Sequence, residues 1–458
     1  MNKKRFFEGV GAIMALIITM PVLADASPVY HVVALLIVLL AMFMPKRASH
    51  WLDTAMNGGL EITFTNGNVS GTVQTNDGIM GLICTANTGD AYTLGTPILI
   101  TSAASAITGD NALSMANNPF ALKQINDFYL QPGNTTAQLY FLGVPDTMTV
   151  ADMSDDTNTN GIIKLLDYGD GAIKWWGAVS DDTVVTVGDI TEGINPDCYT
   201  ALANAQAMCV AQQAAYMYNG ALIGGTSYNG TAGDVVNETD GTSNNCVCLL
   251  IGDIVGPTGY SGGTNAAVGY ALGVLASRDV AIKISDRSQG SLTGVNEAWV
   301  GSETIEAAGG DMVTLANKGI ITFCKVANES GYFFGNNVMG LPGDRLCTVA
   351  SDDYNTITAR RVINKAAQLI YGLLALTVDS KIPTLITGVI EPKYAAWLQQ
   401  QVDKLIDNNM TSAGEDSGVT AFVDPTQNIV TAGGITCGVS LGEDGYASGI
   451  FVPLGLQA

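Results

Sequence analysis

The sequence predicts an α/β fold, a sheet with helices on both faces, followed by a smaller region of helices and short strands. Three observations carry this. Between residues 97 and 326, short apolar runs alternate with longer helical stretches, the pattern of a largely parallel sheet with crossover helices. Past Gly340 the text changes to two long amphipathic helices, and after Gly414 to short strands. The chain has 458 residues, 47% of them hydrophobic and only 14% charged. That is enough apolar surface for two or three filled cores, it excludes a disordered chain, and it suits burial against copies of itself.

The first structured text, "LEITFTNGNVSGTVQTNDGIMGLICTA" from Leu60, reads as an alternating strand, a turn at Asn66-Gly67 and a second strand ending near Cys84. Strands are then expected over 97–102, 137–143, 172–179, 246–252, 280–284 and 320–326, and helices over 119–130, 199–218, 266–277 and 311–318. The first late helix covers 357–374. Val362, Ile363, Ala366, Ala367, Ile370 and Leu374 form its apolar stripe, which places Arg361 and Lys365 one turn apart on the other, solvated face. The second covers 391–409, with Pro392 in its first turn and Tyr394, Trp397, Leu398, Val402, Leu405 and Ile406 as its stripe. Closing strands follow in "VTAFVD", "NIVTAGGITCGVSL" and "SGIFVPLG". The two terminal strands, 60–65 with Ile62 and Phe64 and 448–455 with Ile450, Phe451 and Val452, are natural arms for adding an edge strand to a neighbouring molecule.

Residues 1–55 stand apart as an apolar preface. Two apolar runs, 10–24 and 29–45, are separated by "DASP" and flanked by "KKR" and "KR". They read as a membrane hairpin with both ends in the cytoplasm, as a secretory signal cut after "ADA" with the second run kept as an anchor, or as text upstream of a functional start at Met56. The strand-like sequence after Met56 favours the last, so membrane contact is expected only if the preface belongs to the functional protein.

The net charge is -22, with five of the 20 basic residues (Lys3, Lys4, Arg5, Lys46, Arg47) in the first 50 positions. A body this acidic is a poor direct binder of nucleic acid, which demands Lys and Arg on phosphates. The eight cysteines include no C-x-x-C pair, and several sit in apolar runs, as reduced core thiols do. "GYSGG" at 259–263 has the form of a serine-nucleophile elbow around Ser261, yet the only histidines, His31 and His50, lie in the preface. "DTNTNGIIKLLD" places Asp156, Asn158, Asn160 and Asp167 at calcium-loop positions, but Asp167 replaces the usual bidentate Glu and Lys164 falls where a neutral or acidic group belongs. An Asn/Asp turn accounts for it better. The glycines at 220, 224 and 225 lack the Lys and Ser/Thr of a phosphate loop, and the adjacent acidic pairs 155/156, 181/182 and 352/353 resemble exposed turns. No enzyme, cofactor or metal is expected.

Taken in order, the opening from Leu60, "AAVGYALGVLASRDVAIKISDRSQGSLTGV", "DMVTLANKGIITFCKVANESGYFFGNNVMG" and "TARRVINKAAQLIYGLL" resemble the contractile bacteriophage tail sheath proteins, in particular those of phages and prophages of Bacteroides-type hosts. The resemblance covers most of residues 56–458 and leaves out the preface. It implies a subtilisin-like three-layer α/β outer domain without protease chemistry (90–345), and an α+β inner domain made from the N-terminal strands (56–89) and the C-terminal part (346–458). It also implies a homo-oligomer of stacked six-fold rings around a tail tube, contacts with baseplate and tail terminator proteins, contraction that drives the tube through a host envelope, and a place in the virion tail after assembly in the host cytoplasm. Residues 354–404 hold six bases against three acids, whereas Lys123, Lys164 and Lys174 are the only bases in 51–277. A tube-facing surface is therefore expected from Arg360, Arg361, Lys365, Lys393 and Lys404, and reversal of Arg361 and Lys365 should abolish tube attachment. The rival class is a membrane-anchored or secreted adhesin-like surface protein, which the preface and the Gly/Asn/Thr content suggest.

Overall fold

The computed structural model describes residues 77–131, 137–181, 190, 192–255, 265–335, 343–443 and 445–446. The preface, both terminal strands with Ile62, Phe64, Ile450, Phe451 and Val452, and Ser261 lie outside these residues.

A six-stranded sheet organises the body. Its elements are β1 (Met80–Thr85), β2 (Ile98–Ile100), α1 (Pro119–Phe128), β3 (Leu139–Val144), α2 (Ile162–Gly169), β4 (Trp175–Val179), α3 (Asp197–Ala214), β5 (Gly220–Gly225) and β6 (Val247–Ile251). The strand order is β2-β3-β1-β4-β5-β6. Every neighbouring pair is parallel except the antiparallel edge pair β2 and β3. Strands β1, β4, β5 and β6 are buried along their whole length, which is why three of the four read as unbroken apolar runs. Helices cover both faces. On β4, Gly177 faces α4 (Val268–Ser277), where a Cβ would stand 2.4 Å from Val268 Cγ1. The preceding residue, Trp176, points the other way and reaches Cys209 of α3.

Strand β5 is the element that the sequence pattern does not announce. "GALIGG" carries three glycines, and glycine is depleted in strands. Here the small residue makes room for a large neighbour, since a Cβ on Gly220 would fall 2.2 Å from the Trp175 ring. Conversely, 280–284 is a turn rather than a strand, with Val280 and Ala281 buried against the late helices. Of 320–326, only Phe323–Cys324 pairs, with Phe333–Phe334, while Ile321 bridges to Leu250.

Helices α1 and α4 approach at backbone distance. Gly269 and Gly273 lie one turn apart, and Cβ atoms there would stand 2.0 Å from the Gln124 carbonyl oxygen and 2.4 Å from that of Phe128. The buried Gln124 amide fixes the register: its Oε1 accepts from Gly269 N at 2.7 Å and its Nε2 donates to Ala266 O at 2.9 Å. Gly269→Val is therefore expected to destabilise at the upper end of the roughly 1–3 kcal/mol typical of overpacking. A urea unfolding midpoint equal to wild type would show that the helices can separate freely.

Next to this contact a three-stranded sheet joins the body through β7 (Asp253–Val255) and β8 (Glu297–Val300). Lys123 of α1 is fully buried and bridges Asp127 at 2.7 Å and Asp253 at 2.6 Å, tying α1 to β7. Burial would push Lys123 down, but the two carboxylates outweigh it and hold its pKa above the usual lysine value. Burial pushes Asp127 up to about 6 and raises Asp253 as well, against the pull of the ammonium.

The large core runs on through Leu346, Cys347 and Ile357. From there α5 (Ile357–Leu374) leads into a lobe built of α6 (Pro392–Asn409) and the antiparallel hairpin β9 (Gly418–Val423) and β10 (Cys437–Gly442). Thr356 caps α5, its Oγ1 accepting from Ala359 N at 3.1 Å. Two small cores hold the lobe. One joins Val362, Ala366 and Leu369 of α5 to Ile406, Met410, Val280 and Ala281. The other gathers Ile390, Ala395, Leu398 and Val423. All eight cysteines are free thiols, seven buried and Cys437 half-buried.

Candidate functional site

The chemistry of greatest consequence lies where α5 passes between body and lobe. The N-terminal half of this helix is buried nearly all round, Arg360, Arg361 and Lys365 included. This corrects the expectation of a solvated basic face, and the cause is visible in the partners. Arg361 reaches the C-terminal end of α4, donating from Nη2 to the carbonyls of Leu275 and Arg278, both at 2.9 Å, and from Nη1 to Asp279 O at 3.2 Å. It thereby satisfies carbonyls that a helix end leaves open, where its dipole favours a cation. Burial pulls Arg361 down to about 10, with Asp77, Asp279 and Glu415 pulling the other way; it remains charged at neutral pH.

One turn on, Lys365 Nζ lies 2.7 Å from Asp77 Oδ2 and 2.6 Å from Glu415 Oε1. Three distant parts of the chain meet there: the residue leading into β1, the linking helix, and the segment between α6 and β9. Burial alone would lower Lys365, but the hydrogen bonds it donates to both carboxylates raise it above the usual lysine value. Burial raises Glu415 in spite of its lysine partner. Arg360, 7% exposed, turns away to lie over the Tyr354 ring, 5.6 Å from its centre. Arg360, Arg361 and Lys365 are thus committed within the subunit.

Lys393 and Lys404 are placed differently. Helix α6 buries Ala395, Leu398, Val402 and Ile406 and leaves both lysines exposed. Trp397, counted from sequence in the apolar stripe, is 45% exposed. It sits one turn after Lys393 and two turns before Lys404, so the three share one outer face. Sequence reasoning missed this tryptophan because it stands next to Leu398 and imitates the buried series.

The calcium-like loop is a turn with its polar groups in use. Asp155 Oδ1 accepts from Thr157 N and Oγ1, each at 2.8 Å. Asn158 Oδ1 accepts from Asn160 N, and its Nδ2 donates to Asp152 O. Asp167 lies well inside α2 and is exposed, so Asp156, Asn158, Asn160 and Asp167 do not converge as a metal cage. Among the described residues no cluster of three His, Cys, Asp or Glu side chains could hold a metal ion.

The fold of this chain is similar to that of chains solved in contractile injection systems. The chain is similar to a chain of the anti-feeding prophage baseplate, solved with six-fold symmetry, at 16% identity over 87% of this chain and 99% of that one, TM-score 0.54. It is similar to the helical sheath of the same prophage in its contracted state, at 15% identity over 86% and 99%, TM-score 0.54. A third likeness, at 13% identity over 87% and 96%, TM-score 0.53, is to the contracted sheath complex of the extracellular contractile injection system PVC. Nothing among the curated proteins matches. The chain belongs to the DUF2586 family, whose N-terminal domain matches residues 58–338.

Proposed function

We propose that this chain is a structural subunit, not an enzyme, of a contractile tail or injection apparatus. It polymerises as stacked six-fold rings around a rigid tube and contracts to drive the tube through a target envelope. The observation that carries this reading is that the likeness to contracted sheaths spans body and lobe together, nearly the full length of those chains. In this reading residues 90–345 form a subtilisin-like outer domain, and 56–89 with 346–458 form the inner domain. The terminal strands serve as arms between subunits, and the partners are further copies, a tube protein, baseplate and terminator proteins. The assembled protein belongs to the tail, built in the host cytoplasm.

Negative-stain electron microscopy of the protein expressed from Met56, beside the full chain, tests this. Long hollow striated cylinders are the expected result. A monodisperse monomer, even with tube protein added, overturns it.

A further inference from the structure

The buried charges between α1 and β7 hold more chemistry than an ion pair uses. The side chains of Lys123, Asp127 and Asp253 are 0%, 1% and 2% exposed. Lys123 Nζ donates to Asp253 Oδ1 at 2.6 Å and to Asp127 Oδ2 at 2.7 Å. One ammonium thus faces two carboxylates in a water-poor site, where each charge is costly to hold.

The two oxygens of Asp253 differ. Oδ1 accepts from Lys123 and also from the main-chain N–H of Ile254 at 2.8 Å. Oδ2 is buried and has no hydrogen-bond partner among the described residues, a rare and destabilising condition for a carboxylate oxygen. Only one C–O bond separates the oxygen that Nζ touches from Cγ. An amine nitrogen, a carboxyl carbon and a second carboxylate able to move protons are therefore held together. Condensation of the amine with the Asp253 carboxyl group removes both the unpaired oxygen and a pair of buried charges.

We propose that Lys123 and Asp253 condense to an intramolecular isopeptide bond, with Asp127 carrying the protons. Burial would neutralise Lys123, but its two carboxylate neighbours keep it an ammonium at rest, so a proton must leave before the nitrogen can attack. Asp127, which burial pushes up to about 6, is the acceptor in contact, and it passes that proton to the Asp253 carboxyl. Neutral Nζ then attacks Cγ: the N–C bond forms, and Ile254 N–H faces the charge that gathers on Oδ1. Asp127 takes a second proton from the nitrogen and gives it up to the departing oxygen; the C–Oδ2 bond breaks and Oδ2 leaves as water. The third proton stays on the new amide. Nothing is oxidised or reduced, one ammonium and one carboxylate are consumed, and Asp127 ends as it began. The neutral amine is a minor form, which makes the reaction slow, yet each chain undergoes it once and the exclusion of water opposes hydrolysis. The bond joins residues 130 apart in sequence and makes the tie between α1 and β7 covalent.

The test is the intact mass of the folded full chain after overnight incubation, followed by proteolysis and peptide fragmentation. The expected result is a mass lower by one water, located in a branched peptide that joins Lys123 to Asp253 and absent from chain kept in urea from lysis onward. Lys123→Met and Asp253→Ala should each keep their full mass. Asp127→Asn retains both reacting groups and should lose water at least about a hundredfold more slowly, the usual effect of removing a proton carrier; linkage at the wild-type rate overturns the role given to Asp127. A wild-type chain of full mass overturns the proposal, as does a lost water placed anywhere else, including between Lys123 and Asp127. The wild-type measurement decides this whether or not any variant folds.

Discussion

Lys365→Met is expected to cost about 3–5 kcal/mol, the usual penalty for removing one partner of a buried ion pair. The change deprives Asp77 and Glu415 of the cation they share and leaves two carboxylates facing each other in a poorly hydrated site. Lys365→Glu adds a third negative charge and should separate lobe from body altogether. Urea unfolding of the Met variant, followed by circular dichroism, measures the effect. A loss below about 1 kcal/mol would mean that the contact contributes no more than a surface pair. Converting Glu415 to Leu in the Lys365→Met background should recover part of the loss, because the lysine and one of its two acids are then both replaced by apolar side chains.

The same site sets an alkaline limit. The folded pKa of Lys365 lies above its unfolded value, so its contribution is fully present below the unfolded lysine pKa of about 10.4 and is lost as pH rises through the folded value. Glu415 is linked in the same direction, but in the acid range. Its folded pKa is raised, so its share of stability declines as pH climbs from the unfolded carboxyl value of about 4.3 toward the folded one. In the Met variant the lysine step near the alkaline end should vanish from the stability profile.

The α/β class and the limits of α5 are legible in the sequence because each rests on local information. Thr356 caps the helix, and the apolar spacing from Ile357 to Leu374 continues without Gly or Pro until Gly372. What is not legible depends on contacts between distant residues. Nothing near Gly220 says that its missing side chain is filled by Trp175. Val280 and Ala281 alternate like a strand because they are buried, yet what buries them is a pair of helices far along the chain. Arg361 and Lys365 look solvated because bases usually are; their partners, the end of α4 and the pair Asp77 and Glu415, lie far away in sequence.

With Arg361 and Lys365 buried inside the subunit, the contact with an acidic tube that the proposed function calls for is expected instead from exposed Lys393 and Lys404 on α6. The variant Lys393→Glu/Lys404→Glu should fold with its stability within about 0.5 kcal/mol of wild type, as substitutions at exposed positions generally do. Both lysines are exposed and neither has a carboxylate partner among the described ion pairs. Co-assembly with an acidic tube protein should be lost, because two attractive charges beside Trp397 become two repulsive ones, and like charges across a contact cost several kcal/mol. That loss should be mirrored in the wild-type protein by weaker tube binding as salt is raised. Trp397→Ala should weaken binding without changing its salt dependence, since it removes apolar contact and no charge. The contrast with Lys365 makes the outcome decisive: there, stability falls and assembly fails with it, whereas here assembly fails in a folded subunit. Sedimentation of tube and sheath together separates the cases, and unchanged co-sedimentation of the double variant would move the tube contact off this helix.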